Sequence, residues 1–155
     1  MTIIPTPSPA RSPLRALLLG TLAVGALDIL AAAAMVQLRG GSPARMLRGI
    51  ASGAIGSRAT DGGAGTAALG LLLHFVVAGL VVAAYHAASR RLPDLRERPL
   101  LWGPVYGVVV YAVMNAVVVP LSAISPGAPQ VDAILRGLAI HVGFVGLPAA
   151  LSSRL

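Results

Sequence analysis

Four long stretches of the chain are nearly unbroken runs of Ala, Leu, Val, Ile and Gly, over roughly residues 16–38, 66–88, 100–121 and 133–151. A helix rises 1.5 Å per residue and needs about 20 apolar residues to cross the hydrocarbon core of a bilayer, so each run is a candidate span. The expected fold is therefore all-α, a four-transmembrane-helix bundle forming a single domain over residues 14–155. Residues 1–13, rich in Pro, Ser and Thr and without periodicity, read as a disordered tail. A cleavable leader is the competing reading of the first run, because Arg11 and Arg15 precede Leu17-Leu18-Leu19. That run is longer than a leader's apolar region and carries an acid, which favours a span.

The connections differ from one another. Gly40 to Gly65 is polar and glycine-rich, and within it Met46, Leu47, Ile50, Ala51 and Ile55 recur at helical spacing opposite Arg45, Arg48 and Ser52. This pattern predicts a short amphipathic helix in the membrane interface. Ser89 to Pro99 concentrates Arg90, Arg91, Arg96 and Arg98 with Pro93 and Pro99, and Pro126, Gly127 and Pro129 mark the last turn. Pro120 is expected to end or bend the third helix and Pro148 to bend the fourth. Asp132 is placed to cap the fourth, and Arg136 near its start is expected to snorkel to the interface.

Composition sharpens the class. Of 155 residues, 56% are hydrophobic and 11% charged, a balance unlike that of a soluble domain. The net charge of +7 comes from twelve arginines without a lysine. Their position between apolar runs points to topology and anionic headgroups and away from nucleic acid. Arginines of the tail, the middle loop and the C-terminus number 7 against 5 in the other connections. The positive-inside rule then puts both termini in the cytoplasm. Without cysteine, any site must be built from imidazole, carboxylate, amide or phenol. No P-loop, G-x-S-x-G or H-E-x-x-H motif is present, so no catalytic residue is assigned and a non-enzymatic role is favoured.

Candidate chemistry lies in four polar residues, one per span: Asp28, His74, Asn115 and His141. Counted from the cytoplasmic ends, they fall about 18, 21, 22 and 15 Å deep, compatible with one layer slightly beyond mid-membrane. Each also continues a small-residue stripe: Gly25 with Asp28, Gly70 with His74, Gly103 and Gly107 with Tyr111 and Asn115, and Gly137 with His141. Such stripes let helices approach closely, so these faces are expected to look inward, with Val77 and Val118 among the residues meeting lipid. Gly103 and Gly107 would also suit self-association or a membrane partner.

Three readings of the layer stay open. Buried Asp, His and Asn often do no more than tie helices together. An acid among imidazoles is also relay chemistry for a proton or ion. His74 and His141 could alternatively ligate haem, or join Asp28 around a divalent ion, as in a membrane electron carrier. Tyr85, His86, Trp102 and Tyr106, near the cytoplasmic ends of their helices, read as headgroup anchors.

The motif Gly70-Leu-Leu-Leu-His74-Phe, followed by Tyr85, Arg91-Leu-Pro93, Gly103, Gly107, Pro120-Leu121 and Gly137-Leu-Ala-Ile-His141, resembles small multi-pass bacterial inner-membrane proteins of the YagU type. The resemblance covers about residues 68–151. It implies a multi-pass inner-membrane protein without an assigned reaction or cofactor, and it draws His74 and His141 forward as positions of interest.

Overall fold

A computed structural model describes residues 12–123 and 130–155. Helix α1 is Pro13–Leu38, α2 is Pro43–Ile55, α3 is Ala64–Arg91 and α4 is the short Pro93–Glu97. The two remaining long helices are α5, Pro99–Leu121, and α6, Val131–Ser152. All the regular structure among the described residues is helical. Helices α1, α3, α5 and α6 are each long and apolar enough to cross a membrane. Their 22 to 28 residues span about 33 to 42 Å, against a hydrocarbon core of about 30 Å. Most of the expected tail and the turn containing Pro126, Gly127 and Pro129 lie outside the described residues.

Local chemistry explains where the helices begin. Ser12 and Ser42 each cap a helix by accepting from the backbone N–H three residues on, at Arg15 and Arg45, 3.4 Å away in both cases. Each is followed by a proline at the first helical position, where a missing N–H costs nothing. Pro93 and Pro99 open α4 and α5 in the same way. The first span thus starts at Pro13, inside the stretch expected to be a tail. Gly40 leaves α1 with φ of 74° and Gly56 closes α2 with φ of 69°, backbone that a side chain would strain.

The bundle is assembled by close backbone approach. Gly103 and Gly107 of α5 face Gly146, Leu147 and the His141–Val142 backbone of α6, where an added Cβ at Gly103 would come within 2.9 Å of Leu147 Cα. The stripe expected to serve self-association is therefore occupied within the chain. Gly25 of α1 faces Phe75 of α3, and Gly20 faces Ser152 and Val82. Val24, Ala78, Val82, Tyr85, Val110, Val145, Ala149 and Ala150 form the core. Leu30, Leu72, Leu80 and Leu100 remain 61–72% exposed, an apolar exterior suited to acyl chains.

The connection helix α2 forms as expected but is docked on the bundle. Leu47 lays its backbone carbonyl against Gly70 of α3, and Ala51 is fully buried beside it. Gly70 therefore serves α2, and not one of the other spans.

Pro120 is the next-to-last residue of α5, which ends at Leu121, and Pro148 lies within the last turns of α6, which runs on to Ser152. Each lies two residues beyond a π-helical stretch, Met114–Val118 in α5 and His141–Gly146 in α6. A widened turn moves the preceding carbonyl away from the proline ring. One expectation is corrected by backbone geometry: Asp132 is not the cap of α6. It is the second helical residue, and its Oδ2 receives Arg136 at 2.5 Å and Arg39, from the end of α1, at 3.4 Å. Arg136 is held at the end of the bundle by this pair, which, being solvent-exposed, contributes little to stability.

Candidate functional site

Helices α1, α3, α5 and α6 enclose a cavity of about 60 Å³ near the middle of the bundle, lined by Asp28, His74, His141 and the apolar side chains of Val77, Met114 and Val145, among others. That volume corresponds to a few water molecules at about 10–15 Å³ each on the same measure. The structure thus brings together three of the four expected residues. Val77, expected to face lipid, lines this cavity, while Val118 is exposed as expected.

Asn115 is not part of the group. Its side chain is exposed, and its Nδ2 donates to the Tyr111 carbonyl of its own helix at 2.9 Å. The reason lies in the spacing itself. A helix of 3.6 residues per turn advances about 100° per residue, so a repeat of four drifts about 40° at each step and Asn115 stands roughly 120° round α5 from Gly103. Met114, seven residues after Gly107, returns to the Gly107 face and lines the cavity in its place.

Both imidazoles are oriented by backbone carbonyls. His74 Nε2 lies 2.8 Å from the carbonyl of Gly25, across the α1–α3 contact. His141 Nδ1 lies 2.9 Å from the carbonyl of Gly137, one turn earlier on α6. A carbonyl oxygen only accepts, so each of these ring nitrogens must carry hydrogen and donate. This leaves His74 Nδ1 and His141 Nε2 as the remaining nitrogens. His74 Nδ1 is 3.9 Å from Asp28 Oδ2, with both side chains largely buried. Two lone pairs facing each other at that distance would repel, so the geometry is satisfied when a proton resides on one member of the pair. The separation exceeds a direct hydrogen bond, and a water in the cavity is the natural bridge.

Aromatic contacts complete the setting. Tyr111 meets the His141 ring edge-on at a centroid distance of 5.3 Å and packs over Gly137, while Phe75 meets His74 at 5.6 Å. Tyr111 belongs to the small-residue stripe read from the sequence, whereas Met114 is a site residue that the stripe missed. Its sequence signal is the helical spacing of seven residues from Gly107.

Haem does not fit here. A ligand of that size needs a pocket of about 300–1,000 Å³, and the cavity shared by the two histidines is near 60 Å³. A three-ligand divalent site is not assembled either: among the described residues, no three His, Asp or Glu side chains converge as metal ligands.

Tyr85 and Tyr106, expected at the headgroups, are turned inward. Tyr85 is 1% exposed and its hydroxyl donates to the Leu95 carbonyl at 2.7 Å, tying α4 beneath α3. Tyr106 donates to the Val81 carbonyl at 2.7 Å and meets Tyr85 edge-on. Trp102 donates to Asp94 of α4 at 2.5 Å. His86 is hydrogen-bonded to Ser152 at 2.9 Å. Comparison with protein-family models, curated proteins and solved structures finds no match to this chain.

Proposed function

We propose that this chain is a multi-pass protein of the bacterial inner membrane, with both termini cytoplasmic, whose Asp28/His74/His141 cluster accepts and passes on a proton or small cation. Membrane placement is supported by four apolar helices of spanning length and by the arginine distribution. The YagU-type resemblance of residues 68–151 points to the same class. One observation carries the relay: each imidazole is held by a backbone carbonyl through one nitrogen, and both histidines line one cavity with Asp28. Orientation of that kind fixes which atom of each ring takes part.

A competing reading draws on the same His74–Gly25 bond. It joins α1 to α3, and such bonds between membrane helices contribute about 0.6 kcal/mol on average. His74 would then be a register pin and no more. Purified protein in vesicles loaded with a pH-sensitive dye, under an imposed proton gradient, separates the two. The relay requires flux above that of empty vesicles, abolished by Asp28→Asn. It also requires His74→Gln, which can still donate to Gly25, to lose flux while keeping its melting temperature. Wild-type vesicles no leakier than empty ones to protons, sodium or potassium would leave only the pin.

A further inference from the structure

At the end of the bundle opposite α2, the beginning of α1, the end of α3, α4 and the end of α6 come together around a cavity of about 170 Å³. Its lining includes Ser12, His86, Arg90, Arg96, Ser153 and Leu155. A second cavity of about 270 Å³ adjoins it, sharing Pro13, His86 and Arg90 and continuing along the apolar side chains of Leu14, Leu17, Ala83 and Ala87. Among the described residues, neither Arg90 nor Arg96 has an ion-pair partner, whereas the neighbouring Arg98 is held by Asp94 at 3.3 Å. The start of α1, with its positive dipole end, contributes Ser12 to the same lining.

We infer that this end of the bundle is a binding site for one anionic phospholipid. Its phosphate sits between Arg90 and Arg96 beside His86, and an acyl chain follows Leu14 and Leu17 between α1 and α3. The first cavity has room for a phosphodiester with some water, being several times the about 30 Å³ occupied by one liquid water. Two guanidiniums are suited to phosphate oxygens by their forked donors. Basic pockets between helices at the cytoplasmic face are a recurrent setting for anionic headgroups. The polar cavity opens directly into an apolar groove, which matches a headgroup joined to a chain better than a free anion. This assignment rests on the membrane placement of the helices and is independent of proton handling, so the vesicle flux experiment cannot decide it.

The test is native mass spectrometry of the whole protein in neutral detergent, titrated with phosphatidylglycerol, phosphatidylcholine or inorganic phosphate. One phosphatidylglycerol per chain should be retained in preference to phosphatidylcholine. At about 1 kcal/mol per arginine, or about fivefold, R90Q/R96Q should weaken that binding about 25-fold. R45Q/R58Q, which removes equal charge at the other end, should change it less than twofold. Ala87→Phe, which fills the apolar groove, should weaken the lipid and leave phosphate unaffected. Should the double variant fail to fold by circular dichroism, R96Q alone, on the exposed α4, carries the test at about fivefold. Equal retention of phosphatidylcholine, or an equal loss in R45Q/R58Q, overturns the site. Phosphate binding as tightly as the lipid reduces it to an anion site and overturns the lipid assignment.

Discussion

Gly107→Ala tests whether the central cluster depends on the close contact of α5 with α6. The added Cβ would overlap the His141 carbonyl oxygen and lie 2.7 Å from Val142 Cα and 2.8 Å from the His141 carbonyl carbon. Carbon atoms pack best at about 3.5–4.0 Å, so α5 and α6 must part by about 1 Å. No side chain can swing aside, since the opposing atoms are backbone. Overpacking of this kind costs about 1–3 kcal/mol. At about 2–4 °C per kcal/mol for a chain of this size, the midpoint should fall by roughly 2–12 °C. Thermal unfolding followed by far-ultraviolet circular dichroism in one detergent would measure it. Gly143→Ala is the matched control on α6, because nothing lies within 4 Å of its added Cβ, and it should stay within about 0.5 kcal/mol of wild type. Gly146 faces Gly107 across the same contact, so Gly107→Ala/Gly146→Ala should cost less than the two single changes together. Equal midpoints for Gly107→Ala and Gly143→Ala would refute the interlock and with it the placement of His141 against α5.

Cysteines introduced in this cysteine-free chain at positions 28 and 74 should be joined by a short bifunctional reagent. Pairs 74/115 and 72/117 should not react, since Asn115, Leu72 and Val117 are all exposed; comparable yields would dissolve the cluster. Tyr85→Phe should destabilise the protein by about 1–3 kcal/mol in the same unfolding assay, because it leaves the Leu95 carbonyl without its buried donor. An unchanged midpoint would mean that Tyr85 does not hold α4. For topology, reporter fusions after Pro93 and after Leu155 should read as cytoplasmic and those after Gly63 and Gly127 as periplasmic. The reverse pattern would invert the orientation of the whole bundle.

Hydropathy along the chain determined how many long helices there are and nearly where they lie, because burying backbone in an apolar setting leaves the helix as the solution for each run. Observed ends differ from the expected ones by at most three residues, and a proline opens two of the four long helices, at Pro13 and Pro99. The importance of Asp28, His74 and His141 was likewise legible, since a polar residue in such a run stands out against its neighbours. Three things needed the tertiary structure. Which helix each glycine serves depends on the partner: Gly70 receives α2, and Gly103 and Gly107 receive α6, though all three belong to look-alike small-residue stripes. Whether Tyr85 faces headgroups or core depends on the α4 carbonyl that awaits its hydroxyl. Asn115 leaves the cluster because a repeat of four drifts round a helix of 3.6 residues per turn, and which part of that drifting stripe faces inward is decided by the contact of Gly103 and Gly107 with α6.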